Sequence, residues 1–332
     1  MTTHRTRGAR LVALAAAITL AATACSNGGR DKTADDSTSG GGNAAGSSGF
    51  TIAMITHETP GDTFWDKIKA GAQQAAKDTG VTLKYSNDPD ATKQAVLIQN
   101  AIDSKVSGIA TTLVTPDALA GSVKAARDAG IPLVGFNSGI DQYQKLGALM
   151  YFGSDENLAG NTAGKRILAA GAKHPLCVIQ AQGSVALEAR CAGVKGVIPA
   201  TENINVNGAD DSAVVSTLQA KLAQDKSIDY LVTLGAPIAI DALKAMDQAG
   251  SSAKLVTFDL NQEAAQDIKD GKIEFSIDQQ PYVQGYMAVT SLYLYLKNGN
   301  DIGGGKAVLT GPSFVDKTNI DTILPFTRNN TR

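Results

Sequence analysis

From Thr51 onward the chain alternates short apolar, β-branched runs with segments of helical periodicity, the pattern of parallel strands joined by crossover helices. The runs predict strands at Ile52–Thr56, Thr82–Ser86, Gly108–Leu113, Leu133–Asn137, Met150–Gly153, Cys177–Ala181, Asn203–Val206, Tyr230–Leu234, Leu255–Asp259 and Glu274–Asp278, with helices between them. Several of these helices close on a small residue and Gly, as at Thr79-Gly80, Ala129-Gly130 and Ala249-Gly250, where Gly accepts the left-handed conformation. Pro281–Lys297 carries Tyr282, Tyr286, Val289, Tyr293 and Leu296 at helical spacing. The tail then returns to two short extended pieces, Ala307–Thr310 and Ile320–Leu324.

An internal repeat organises these elements. Pro116–Asn137 (PDALAGSVKAARDAGIPLVGFN) and Pro237–Asp259 (PIAIDALKAMDQAGSSAKLVTFD) share a Pro, a helix with Lys-Ala at matching places, Ala-Gly, and a strand ending in Phe plus Asn or Asp. Two similar α/β halves of about five strands each follow, a commoner solution at this length than one large sheet. Asn137 and Asp259 become equivalent positions, each at the carboxyl end of its strand, where open α/β sheets bind ligands. The segments after Asp278 must pack on one half and find a sheet edge, so the chain is expected to cross between the halves more than once.

The stretch Thr51–Gly71 reads strand, loop, helix and brings Asp62, Phe64 and Trp65 to the same kind of edge. Two flat rings beside a carboxylate suit the apolar faces and hydroxyl edges of a carbohydrate; the alternative is a pair of core staples for the helix that follows. His57, at the tip of the first strand, is either a donor to a ligand or a satisfied loop residue. Arg190 lies early in the helix after the Cys177 strand, and its planar five-donor head could grip hydroxyl or carboxylate oxygens or pair with Glu188 or Asp210. Gln279-Gln280-Pro281 marks a junction, where an amide offers a donor and an acceptor to a bound hydroxyl, or where simple turn chemistry operates.

Composition narrows the class. With 332 residues, 43% of them hydrophobic and 19% charged, the chain is an ordinary globular protein of one large or two medium domains. The net charge is −2 and no basic stripe exists, so nucleic acid is not an expected partner. Arg5, Arg7 and Arg10 precede an Ala-rich apolar run from Leu11 to Ala22, a secretory signal pattern too short to span a bilayer. Ala22-Thr23-Ala24-Cys25 resembles a bacterial lipobox, with Ala22 where Leu is usual; cleavage would leave Cys25 lipidated, the alternative being plain secretion with an accidental thiol. Ser26–Gly49 is dense in Gly, Ser, Asn and Asp and reads as a flexible tether. In an exported chain, Cys177 and Cys191 read as a disulfide tying a strand to the following helix.

Catalytic and cofactor motifs are missing. Outside the signal segment only His57 and His174 remain, with no CxxC or HExxH spacing, so neither a metal nor another cofactor is expected. Gly303-Gly304-Gly305-Lys306 is followed by Ala307 and lacks the earlier Gly of a phosphate loop, and no Gly-X-Ser-X-Gly elbow is present. An enzyme is not expected.

The order Asp62-Thr63-Phe64-Trp65, Gly135-Phe136-Asn137-Ser138, Gly153-Ser154-Asp155, Glu188-Ala189-Arg190-Cys191-Ala192-Gly193, Phe258-Asp259 and Asp278-Gln279-Gln280-Pro281 resembles the type I periplasmic solute-binding proteins of bacterial sugar ABC importers, of the ribose-binding-protein-like family. The resemblance spans Thr51 to Leu324. It implies two Rossmann-like α/β lobes with parallel-stranded sheets, joined by a three-stranded hinge and closing on a sugar. The lobes would comprise 50–153 plus 281–308 and 154–280 plus 309–326, after a signal peptide at 1–24 and a lipidated Cys25 and tether at 25–49. Family contact positions fall on Asp62, Phe64, Trp65, Asn137, Ser138, Arg190, Gly235, Asp259 and Gln279, with His57 added from the strand-tip argument. Asn137-Ser138 replaces an Asp-Arg pair of ribose-type members and Gly235 replaces an Asn. The implied cleft is less charged and roomier, so a larger or differently hydroxylated neutral sugar or a polyol is the expected ligand, with a nucleoside, an inositol or a small furanose signal as the alternative. The resemblance also implies a monomer serving an ABC permease from the outer face of the cytoplasmic membrane. Sugar-responsive repressors share this fold, but this chain has a signal segment where they need a helix-turn-helix.

Overall fold

The computed structural model describes residues 46–332; the signal segment, Cys25 and most of the tether lie outside the described residues. The first part of the chain runs β1 (Thr51–Thr56), α1 (Phe64–Thr79), β2 (Thr82–Asn87), α2 (Ala91–Asp103), β3 (Gly108–Thr112), α3 (Pro116–Asp128), β4 (Leu133–Phe136), α4 (Tyr143–Leu146) and β5 (Tyr151–Ser154). It continues with α5 (Glu156–Ala169), β6 (Pro175–Ile179), α6 (Val185–Val197), β7 (Glu202–Asn205), α7 (Asp211–Gln224), β8 (Tyr230–Thr233), α8 (Ala236–Ala249), β9 (Lys254–Phe258), α9 (Gln262–Asp270) and β10 (Phe275–Asp278). The tail supplies α10 (Pro281–Asn298), β11 (Val308–Gly311), β12 (Ser313–Asp316) and α11 (Ile320–Thr327).

These strands form two six-stranded sheets, ordered β11-β5-β4-β3-β1-β2 and β12-β10-β9-β8-β6-β7. Neighbours pair in parallel except β12, which runs antiparallel to β10. Helices cover both faces of each sheet, which is why the strands read as almost unbroken apolar runs. In β1, Ile52 and Met54 face the core shared with α1 and α10, while Ala53 and Ile55 face the core under α2 and α3. The second lobe repeats the arrangement, with Leu176 and Val178 of β6 on one face and Cys177 and Ile179 on the other.

All ten predicted strands are present, with ends displaced by a residue or two. The tail differs. Ile320–Leu324 is not extended but belongs to α11, where Ile320 and Leu324 are buried and Ile323 packs beside them in the core under α9. Spacings of three and four residues mark a helix, but a five-residue window is too short to separate them from a strand. The tail strand passed over in the sequence is β12, so each sheet has six strands rather than five. β11 keeps the chain in the first lobe through Gly311, past the expected boundary at 308.

The chain crosses between lobes after β5, after β10 and between β11 and β12. Each lobe also contains one helix pair in backbone contact through glycines. A Cβ at Gly71 would lie 2.0 Å from the Tyr282 carbonyl oxygen, and one at Gly285 would lie 2.1 Å from that of Ile68, so α1 and α10 touch. In the second lobe a Cβ at Gly160 would lie 2.0 Å from the Arg190 carbonyl oxygen and one at Gly193 2.3 Å from that of Asn157. This contact brings the first turn of α5 against the middle of α6. The Cys177–Cys191 disulfide, with Cα atoms 5.8 Å apart, ties α6 to β6 as expected.

Gly160→Val should therefore lower stability by about 3 kcal/mol or more, because backbone rather than a pliable side chain blocks the new methyl groups. Gly196→Ala in the partner helix α6, where nothing lies within 4 Å, should be neutral or slightly stabilising. Urea midpoints of the two variants check this; equal midpoints would mean that α5 and α6 can part without cost.

Candidate functional site

A cavity of about 750 Å³ lies between the lobes, at the carboxyl ends of both sheets. The first lobe contributes His57, the loop from Thr59 to Asp62, Phe64, Trp65 and Asn137; the second contributes Gln180, Ser184, Arg190, Gly235 and Asp259. Gln279 enters from the crossing after β10. The equivalence of Asn137 and Asp259 appears in their backbones. Each directly follows its strand and has a left-handed φ, 65° and 61° respectively, a region that short polar Asn and Asp tolerate better than other side chains.

A chain of amides connects these two positions. Asn137 Nδ2 donates to Gln279 Oε1 at 3.3 Å, and Gln279 Nε2 donates to Asp259 Oδ2 at 3.1 Å. Buried Gln284 accepts from Asn137 Nδ2 at 3.2 Å and donates to Gln279 Oε1 at 2.9 Å and to Thr310 Oγ1 at 3.1 Å. Gln280 Nε2 donates to the Thr310 carbonyl at 2.7 Å, so two of the three crossings share one network. Elsewhere the lobes meet through a main-chain hydrogen bond, Val185 N–H to the Val114 carbonyl at 3.3 Å.

Arg190 is 3% exposed and pairs with neither Glu188 nor Asp210. Its Nε donates to Glu156 Oε2 at 2.6 Å, one terminal nitrogen donates to the Leu234 carbonyl at 3.1 Å, and the same nitrogen lies 3.8 Å from Asp259 Oδ2. The guanidinium carbon sits 4.6 Å from the Phe258 ring centroid. Glu156, which orients this head, was invisible in the sequence: as the first residue of α5 it reads as a helix-start acid. Gln180 was also missed, because the predicted strand ran to Ala181. β6 ends at Ile179, which leaves Gln180 at the strand tip, and polar residues just past strand ends are the signal that could have found it.

The aromatic residues stand between the first lobe's core and the cavity. Trp65 is 3% exposed and belongs to the first lobe's core, yet it also walls the cavity, edge-on to His57 at 4.7 Å and to Phe64 at 5.2 Å between ring centroids. Asp62 Oδ1 accepts from the Phe64 N–H at 3.0 Å, capping the start of α1. Ser138 is fully buried behind the wall and does not line the cavity. Gly235 does, and a Cβ there would come within 3.1 Å of Gln180 Nε2, so its bareness leaves room for that amide.

The site is electrostatically poised. Burial pushes the Asp259 carboxyl up to about 7, with nearby Asp278 adding to the rise and Arg190 and Gln279 opposing it. Burial likewise raises Asp62 and Glu156, and it holds His57 neutral, lowered to about 3. Asp259 Oδ1 and Gln180 Oε1 are buried without a hydrogen-bond partner among the described residues, so a bound donor could satisfy them.

Because the folded protein holds the Asp259 proton more tightly than the unfolded chain, this group stabilises the fold fully below its ordinary 3.8, and that stability is lost as pH rises to about 7. The melting temperature of ligand-free Asp259→Asn, relative to the unsubstituted protein, should therefore climb across that window and level off above it. A pH-independent difference would place the Asp259 carboxyl in its ordinary range.

Comparison with known proteins agrees with this architecture. A sequence profile described as a periplasmic binding protein domain matches residues 52–301. The xylose/arabinose-binding protein XylF of Sulfolobus acidocaldarius is 27% identical over 83% of this chain and 73% of its own length. A carbohydrate transporter protein from Acidothermus cellulolyticus 11B, solved in complex with myo-inositol, is 56% identical, with a TM-score of 0.84 over 85% of this chain and 99% of that one. An ABC transporter solute-binding protein from Agrobacterium vitis with bound D-fucose is 25% identical, with a TM-score of 0.74 over 84% and 99% of the two chains. The likeness extends over nearly the whole described chain, and the protein belongs to the periplasmic binding protein family.

Proposed function

We propose that the cleft captures a neutral sugar or cyclic polyol and presents it to the permease of an ABC importer. The observation that carries this reading is the convergence, beside one aromatic wall, of polar groups from both lobes that are joined through Gln279. Phe64 and Trp65 offer apolar faces, Arg190 offers a donor head held by Glu156, and Asp62, Asn137, Asp259 and Gln279 offer acceptors and donors to hydroxyls. Membership of a solute-binding family makes the protein a receptor rather than an enzyme, exported to the cell envelope. The relative at 56% identity was crystallised with myo-inositol, which makes an inositol the first ligand to try.

Contacts made by both lobes at once favour the closed arrangement, because only there are both sets satisfied; closure is the signal that a permease can read. Lipidation at Cys25 would hold a monomer at the membrane, with 26–49 as its tether.

A thermal-shift panel of inositols, pentoses, hexoses, linear polyols and nucleosides should show stabilisation by a sugar or polyol, since a ligand that binds only the folded form raises the melting temperature. Stabilisation by nucleosides alone would reject the carbohydrate assignment. Truncating Trp65 would itself cost about 4 kcal/mol as a core substitution, so Phe64→Ala and Arg190→Lys are the cleaner probes. Each should weaken binding about tenfold or more by calorimetry while the protein still unfolds cooperatively. Cys25→Ser should move the expressed protein from the membrane to the soluble fraction; unchanged fractionation would remove the lipid anchor.

A further inference from the structure

His57 stands at the head of a hydrogen-bond relay that begins outside the cleft. Its Nδ1 lies 2.8 Å from Thr112 Oγ1, and Thr112, at the end of β3, is fully buried. Thr112 Oγ1 in turn receives a hydrogen bond from Gln94 Nε2 at 3.0 Å. Gln94 is a fully buried residue of α2, and its amide orientation is set by a second bond from the same nitrogen, to the Thr112 carbonyl at 2.8 Å. Its Oε1 is left buried without a partner, so Gln94 presents a donor to the hydroxyl and keeps its acceptor turned away.

Proton accounting then settles the imidazole tautomer. A hydroxyl has one proton to give, and a buried one left without an acceptor costs free energy. Among the described residues Thr112 Oγ1 has two partners, Gln94 Nε2 and His57 Nδ1, and the first can only donate. The hydroxyl proton must therefore go to Nδ1, which makes Nδ1 the bare nitrogen and places the ring's proton on Nε2. Nε2 has no hydrogen-bond partner among the described residues, and His57 lines the cavity beside Trp65.

We propose that His57 is a specificity residue of the cleft, fixed by the Gln94–Thr112 relay as an Nε2–H donor that gives one uncharged hydrogen bond to a ligand oxygen next to the aromatic wall. Gln94 and Thr112 are positioning residues that touch no ligand. The donor selects a hydroxyl or ring oxygen there and disfavours a ligand that presents a methyl group or a cation. Since burial holds this ring neutral down to about 3, the donor stays neutral at and above ordinary envelope pH. The proposal rests on the carbohydrate reading of the cleft, but its first test does not need a ligand.

In ¹⁵N-histidine-labelled full-length protein, with the His57 signals identified by their loss in His57→Phe, ligand-free His57 should show a protonated Nε2 and an unprotonated Nδ1. Thr112→Ser, which keeps the hydroxyl, should preserve that pattern, and Thr112→Val should lose the single tautomer. With myo-inositol as the first probe, or whichever carbohydrate of the panel binds best, His57→Phe and Thr112→Val should each bind about tenfold more weakly and Thr112→Ser as the unsubstituted protein does. A proton on Nδ1 overturns the proposal, as do unchanged affinities in both weakening variants. If no carbohydrate binds the unsubstituted protein, the functional reading falls and the donor role falls with it, whereas carbohydrate binding indifferent to His57 and Thr112 defeats the relay alone.

Discussion

The ion pair between Glu156 and Arg190 is the constraint on which the second lobe's side of the site depends. Neither group is more than 4% exposed, and a guanidinium taken out of water is tolerable only with a counter-charge and hydrogen bonds in good geometry. Glu156 supplies both, and the Leu234 carbonyl fills a further donor position. The pair exists because α5 and α6 cross with their backbones touching at Gly160 and Gly193, and because the Cys177–Cys191 bridge ties α6 to its sheet. Helix packing, a covalent tie and a buried charge thus act on one side chain.

The same charge shapes its neighbour. Asp259 lies within reach of Arg190 and of the Gln279 amide, yet burial still leaves its carboxyl reluctant to ionise. Such a group is unsatisfied until something polar enters the cleft. Gln279 makes that state known to both lobes, since its amide touches Asn137 and Asp259 and its neighbours Gln280 and Gln284 bond to Thr310, which precedes the last crossing. Ligand contacts and hinge geometry therefore share atoms, the physical condition for coupling capture to closure.

Much of the site was legible along the chain because a doubly wound fold places functional residues at strand ends, and strand ends show as the point where an apolar run meets a polar or Gly residue. Asp62, Asn137, Asp259 and Gln279 were found in this way, Gly235 came only from the family resemblance, and all of them line the cavity. Ser138, one residue past Asn137, turned out to be buried behind the wall, because Asn137 occupies the left-handed position and its own side chain takes the cavity face. Gln180 was lost to a strand end misplaced by two residues, an error that moves a residue from a tip into a sheet.

Periodicity and the repeat by themselves determined the two-lobed parallel architecture, the equivalence of Asn137 and Asp259 and the edge at which ligands meet the fold, because each of these is written in local spacing. Partnership was decided only in three dimensions. Glu156 finds Arg190, Thr112 finds both Gln94 and His57, and Gln284 finds Asn137 across separations that no local pattern encodes. A buried polar group takes whichever partner the packed elements bring within about 3 Å, and that choice follows from helix contacts through glycine and from sheet order, both of which arise only once the chain has folded.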